Sequence, residues 1–373
     1  MERPIIMAGG IAPGTESSNG RLTAGFYEPV FAPREADIVC APTFAANVAI
    51  LRETDHDSPL EDINRDIVAA ARAAASPGTL IAGGIGPCGE HGGDMFDLID
   101  MAARQAWALE SAGADALFID AIPGLGEARA AVIGARPTGL PLYVCLSAGR
   151  DGDTQDGGSF LAALVCLQAL GVAGFGLSGA GHTDGVSRVL DALRLQAQIP
   201  LIAPLDRRDP AMSACNFLEA GAGLLICGAG MPDDKMGALR ELIRERPCKE
   251  RARPESADTA LCLCDGAGLY YLNEGFSLSD PLTCSLDMAP DILEAENLGA
   301  DALLLHIETP EDADFFSRNT DIIRGPVCLR AQSAEVLELA LAAYCGRAIV
   351  DARSNIRRDD LDDLARAYGG IVR

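Results

Sequence analysis

Ser111-Ala112-Gly113-Ala114-Asp115-Ala116-Leu117-Phe118-Ile119-Asp120 holds the repeating unit of the whole N-terminal region. Residues 97–112 are rich in alanine and read as a helix. Gly113 suits the place just past a helix end, where the chain turns left-handed. The apolar run from Ala116 then reads as a short buried strand that closes on a carboxylate. A second copy of this junction, Glu219-Ala220-Gly221-Ala222-Gly223, leads into the apolar run at Leu224. Outward from these two points, apolar runs begin near Ile5, Ile38, Leu80, Ala116, Leu142, Gly174, Leu201 and Leu224. Helical stretches over residues 63–75, 97–112, 125–134, 160–170, 186–197 and 212–220 alternate with them. Such alternation predicts a parallel α/β fold. Eight strand–helix units within residues 1–247 predict a closed (β/α)8 barrel, in preference to an open doubly wound sheet.

Arg246-Pro247-Cys248-Lys249-Glu250-Arg251-Ala252-Arg253-Pro254-Glu255-Ser256-Ala257 is charged, carries two prolines and has no periodicity, which marks a domain boundary. Beyond it, strands are expected near Leu261, Ala302, Val327 and Ile349. Residues 258–373 have room for only half a barrel, so a partial α/β domain is predicted there. Parallel sheets are normally covered on both faces, and open edges invite pairing. A homodimer or a protein partner joined through this domain is therefore expected.

Hydrophobic residues make up 49% of the 373, enough for a packed core. With 30 Lys+Arg against 54 Asp+Glu the formal charge is −24, which repels phosphate backbones and anionic lipid. Neither nucleic acid nor membrane is an expected partner. No export signal or membrane-length apolar run is read, so the cytoplasm is the expected compartment. The 12 cysteines then read as reduced core thiols or ligands rather than a disulfide framework.

Five short motifs occur in order at successive strand ends. They are Ala8-Gly9-Gly10-Ile11 with Gly14-Thr15; Asp37-Ile38-Val39-Cys40-Ala41-Pro42-Thr43-Phe44-Ala45-Ala46-Asn47; Ala82-Gly83-Gly84-Ile85-Gly86-Pro87; Gly113 to Asp120 with Glu127-Ala128; and Asp151-Gly152 with Thr154 and Gly157. Together they resemble the motifs of the homocysteine S-methyltransferase family, most of all the homocysteine domain of cobalamin-dependent methionine synthases. The resemblance covers roughly the first two-thirds of the chain. It implies transfer of a methyl group to a thiol, with zinc held by three cysteines and the sulfur bound as a thiolate.

Here Gly176-Leu177-Ser178-Gly179 puts Gly179 where the first zinc cysteine would stand. In Cys227-Gly228-Ala229-Gly230-Met231-Pro232, Cys227 matches the second and Gly228 replaces the third. The resemblance thus implies a degenerate zinc site in which Cys227 alone is retained. It also places substrate-binding positions at Gly9, Gly10, Asp120 and Ser178, for a small thiol or amino-acid ligand. Asp120 stands for a glutamate, Ala8 for an aspartate and Ala121 for a threonine. Cys40, Cys88, His91 and His182 also follow strands, on the face where such barrels carry their sites. Cys227 with His182 and either Cys88 or His91 would supply a rearranged zinc site. Alternatively, the cysteines are small buried residues and the histidines belong to solvated loops. Gly9-Gly10 and Gly83-Gly84 read either as backbone openings for a ligand or as tight barrel turns. Asp120 reads either as an anchor for an ammonium group or as a loop cap. Residues 149–158 are expected to form a mobile lid, and lack the terminal glutamate of a calcium loop.

In the second region, Pro326 to Val336 and Tyr344 to Ser354 resemble stretches of the pterin-binding barrel that follows the homocysteine domain in those synthases. Two generic βα units are the alternative. The pterin-contacting Asp and Asn fall on Arg330 and Asp351, so direct folate binding is not expected. Direct cobalamin binding is not expected either, because Ala180 occupies the aspartate position of the D-x-H-x-x-G motif around His182. Cys262-Leu263-Cys264 reads as core. Two functional readings stand: a divergent S-methyltransferase with a rearranged metal or none, and a non-catalytic descendant acting as a binding or assembly module. Whether the chain is an enzyme is left open between them.

Overall fold

Alternation along short apolar strands sends every second side chain inward, and eight such strands enclose one interior. The computed structural model describes residues 4–9, 32, 36–53, 58–88, 93–149, 152–179, 183–228, 231–244, 246 and 261–373. The expected boundary at 247–257, together with Gly10, His91 and His182, lies outside the described residues. Two compact units are present, Met1–Phe160 with Val172–Ala252, and Leu161–Gly171 with Arg253–Arg373.

Strands β1 (Ile5–Ala8), β2 (Ile38–Ala41), β3 (Leu80–Ile85), β4 (Ala116–Ile122), β5 (Leu142–Ser147), β6 (Gly174–Ser178), β7 (Leu201–Pro204) and β8 (Ala222–Cys227) form a closed parallel barrel in chain order. Closure pairs Ile5 with Leu224 and Ala8 with Cys227. The helices are α1 (Val48–Glu53), α2 (Leu60–Ala74), α3 (Met95–Ser111), α4 (Leu125–Ala135), α5 (Phe160–Ala169), α6 (Thr183–Arg194), α7 (Pro210–Ala220) and α8 (Asp233–Arg244). Met7, Ile38, Cys40, Phe118, Cys145, Ile202, Leu224 and Ile226 belong to the buried cluster that fills the interior.

Local signals explain where the elements stop. Asp94 caps α3 by accepting from the backbone N–H of Phe96 and Asp97, and Asp97 returns the bond. Gly113 (φ 87°) and Gly221 (φ 104°) are left-handed where α3 and α7 give way to strands, as the two junctions predict. The clearances at Gly83 and Gly84 are filled from within. A Cβ at Gly83 would lie 2.8 Å from Leu109, and one at Gly84 2.8 Å from the Phe44 ring. Packing alone therefore requires glycine at both positions.

The second unit contains a parallel sheet of β11 (Leu282–Thr283), β12 (Leu303–Ile307), β13 (Val327–Ala331), β14 (Ile349–Val350) and β15 (Ile371–Val372), in that order. Helices α9 (Ala289–Asn297), α10 (Pro310–Asn319), α11 (Ala334–Ala343) and α12 (Arg358–Ala367) connect these strands. The Leu261 run departs from expectation. It forms β9 (Leu261–Cys264), which pairs antiparallel with β10 (Leu269–Leu272) and takes no place in the parallel sheet. The cause is the tight turn at residues 265–268, where Asp265 accepts from the N–H of Ala267 and Gly268 while Gly266 is left-handed. Leu263 and Leu272 of this hairpin cluster with Leu304, Cys328 and Ile349, so the hairpin covers one apolar face of the sheet. Both outer strands are only two residues long, which keeps the edges short. Among the described residues no helix is long and apolar enough to cross a membrane.

Candidate functional site

The barrel ladder brings Ala8 and Cys227 level with each other and puts Ser178 at the last position of β6. Asp120 lies near the end of β4. All four therefore stand at the C-terminal ends of their strands. Their side chains do not share one place.

Asp120 follows Ala116 and Phe118 in alternation, and both of these belong to the interior cluster. Ser178 follows Gly174 and Gly176 in the same way, and a Cβ at Gly174 would touch the interior residues Tyr143 and Ile202. The two polar side chains thus meet inside the mouth, both buried, with the Ser178 hydroxyl donating to Asp120 Oδ1. The backbone N–H of Ala121 donates to Asp120 Oδ1 at 2.8 Å and to Ser178 Oγ at 2.9 Å. Ala121 has φ 59°, the one positive φ among described non-glycine residues. The pairing of β4 with β5 shifts register between Ile119 and Ile122, so a bulge turns this N–H out of the ladder toward the two side chains. Left-handed alanine costs about 1–2 kcal/mol. Strain of this kind persists where the surroundings over-determine it, and here it fixes a carboxylate in the mouth. Beneath, burial pushes the Cys145 thiol well above its ordinary pKa, and Asp120 pushes it the same way. Residue type alone does not reveal the role of Ala121, because the working group is a backbone donor.

Among the described residues, the cysteines considered as zinc ligands do not converge. Leu224 and Ile226 take the interior side of β8, which leaves Cys227 on the helix-facing side. There burial pushes its thiol up to about 12, while Arg240 of α8 acts in the opposite sense. Cys88 lies in a separate small cavity with Asn47, Gln105, Ile122 and Glu127. Its backbone N–H donates to Glu127 Oε1 at 2.5 Å, and burial with the Glu127 charge raises its thiol to about 11. Cys40 is buried against Gly9, where a Cβ would come within 2.7 Å of the Cys40 Cβ. Gly9 itself is left-handed (φ 114°) and donates to the Cys227 carbonyl at 3.0 Å, so its backbone serves the turn. Gly179 and Gly228 contribute no ligand atom. Cys227 and Cys88 stand in separate surroundings, one on the helix-facing side of β8 and the other in its own cavity. Among the described residues no group of three or more His, Cys, Asp or Glu could hold a metal ion. The described residues do not fit the implied zinc site.

Residues 152–158 form a pinned turn where a mobile lid is expected. Gln155 N–H donates to the Ser147 carbonyl and Asp156 N–H to that of Pro123. Asp156 also accepts from Thr154 Oγ1 at 2.5 Å. The motif residues at 43–47 prove structural. Thr43 Oγ1 donates to the Gly84 carbonyl at 2.7 Å, and Asn47 Oδ1 accepts from Ile50 N–H at the start of α1.

A sequence model of homocysteine S-methyltransferases matches residues 30–218, just over half of the chain. The metallated form of the homocysteine methyltransferase MmuM from Escherichia coli superposes with a TM-score of 0.53 at 17% identity, covering 64% of this chain and 96% of that one. Its oxidized form gives 0.52 at 17% identity, covering 64% and 95%. No curated protein sequence matches the chain. The sequence match and the closed eight-stranded barrel agree, and the chain belongs to the homocysteine S-methyltransferase family.

Proposed function

We propose that this protein is a divergent family member that binds a small amino compound in its barrel mouth and has given up zinc-dependent methyl transfer. In this reading it is a non-catalytic descendant acting as a binding module. The observation that carries it is the Asp120 carboxylate, which is interior, buried and oriented by Ser178 and the Ala121 N–H. A carboxylate held this way attracts an ammonium group, and binding needs no ionised thiol. Calorimetric titration with L-homocysteine and L-methionine, each with and without zinc, tests the reading. Both are expected to bind with equal strength in either condition, and Asp120→Asn is expected to abolish binding. Purified protein is expected to hold well under one zinc per chain.

The rival reading, methyl transfer to a thiol with rearranged ligands, draws on family membership and on His91 and His182, which lie outside the described residues. About one zinc per chain, lost on Cys227→Ser, together with methylation of homocysteine, would establish it and overturn the binding-module reading.

A further inference from the structure

The carboxyl ends of the parallel strands in the second unit carry a polar layer that barrel chemistry does not use. On one face of this sheet Leu304, Cys328 and Ile349 are apolar and covered by the β9–β10 hairpin. Two residues further along the same strands, on the same face, come His306, Arg330 and Asp351. His306 and Arg330 are direct ladder partners on β12 and β13. In open α/β sheets ligands lie at the carboxyl ends of the strands.

Asp351 is buried, and two guanidinium groups share it. Arg330 engages Oδ2 through Nε at 2.8 Å and Nη2 at 2.6 Å. Arg353 engages Oδ1 through Nε and Oδ2 through Nη2, each at 3.1 Å. Both arginines use the same edge, and each keeps Nη1, with two N–H donors, for another acceptor. Two guanidinium groups thus share the single buried Asp351 carboxylate, in a chain whose formal charge is −24. Beside them His306 Nδ1 lies 3.7 Å from Glu308, which leaves Nε2 as the other polar atom of the ring. We infer that this layer binds a small oxyanion, a phosphate or carboxylate group, between the Nη1 donors of Arg330 and Arg353 with His306 alongside. Asp351 preorganises the pair: it holds two guanidinium groups side by side, with their Nη1 donors left for a bound oxyanion.

Calorimetric titration of the full chain with inorganic phosphate and, separately, with citrate tests this. Sodium chloride at matched ionic strength is the reference. Saturable binding of either anion is expected, weakened at least ten-fold in Arg353→Gln and in His306→Gln. The tighter of the two anions identifies the source of the oxygens. Arg353 is largely exposed, so its replacement leaves the fold in place, and circular dichroism of each variant verifies this. Absence of saturable binding by both anions, or unchanged affinity in Arg353→Gln, would overturn the inference.

Discussion

Asp351→Ala removes the acceptor of four hydrogen bonds from Arg330 and Arg353, three from their side chains and one from the Arg353 backbone at 2.9 Å, together with the 2.6 Å ion pair to Arg330 Nη2. The two arginines do not contribute equally. The Arg330 side chain is only 19% exposed, so it would be left as a largely desolvated charge, at a cost of about 2–3 kcal/mol. Arg353 is 68% exposed, and water replaces its partner for about 0–1 kcal/mol. The expected loss is therefore about 3 kcal/mol. Its pH dependence follows from the native pKa of Asp351. Burial raises that pKa, but hydrogen bonds from Arg353 and Arg330 outweigh burial and hold it below the ordinary aspartate value. The stabilisation is then complete above about pH 4, the unfolded value, and is lost as pH falls through the lower native one. Urea unfolding of both proteins between pH 3 and pH 7, followed by circular dichroism, measures the difference. Arg330→Met with Asp351→Leu should recover most of the loss, because an apolar pair leaves no unpaired charge. A loss below about 1 kcal/mol at pH 7, or one that grows toward pH 3, would refute the assignment of Asp351 as the partner of a buried cation.

Asp120→Ala should cost about 1–3 kcal/mol by leaving the buried Ser178 hydroxyl without its acceptor, whereas Asp120→Asn keeps an acceptor and should cost less than about 1; equal losses in urea unfolding would count against this geometry. Burial raises the native pKa of Glu127, with the Cys88 N–H acting against it, so the native state holds the extra proton. Stability attributable to Glu127 is thus present below the ordinary glutamate pKa and falls as pH rises through the native value. Glu127→Gln, whose amide oxygen still accepts from Cys88, should flatten that pH dependence and leave the protein at least as stable at pH 7. Gly176→Ala would put a Cβ 1.9 Å from the Ile202 carbonyl oxygen, and should cost about 3 kcal/mol, read as a lower urea midpoint.

Period and punctuation were enough to read the barrel. Apolar runs of strand length, helical stretches between them and glycines at Gly113 and Gly221 all act locally, so the order and direction of eight strands are legible in the chain itself. The second sheet was partly legible for the same reason. Its missed strands β11 and β15 are two residues long, too short for any period, and the Leu261 run carries no mark that separates a hairpin from a crossover strand. Motif spacing also identified Asp120, Ser178 and Cys227 as the residues to watch, and placed all three at one end of the barrel.

What these residues do was decided only when the chain folded. One position along β8 separates the interior from the helix layer, and Cys227 lies on the helix side beside Arg240. Cys88 follows β3 as expected, yet its surroundings are Glu127, Gln105 and Asn47, contributed by distant parts of the chain. The bond between Asp120 and Ser178 joins residues 58 positions apart, and the Ala121 N–H that orients both is freed by a bulge invisible in residue type. Secondary structure follows from neighbours within a few residues. Ionisation, ligation and orientation depend on which surfaces meet across the barrel, and those distances belong to the tertiary structure alone.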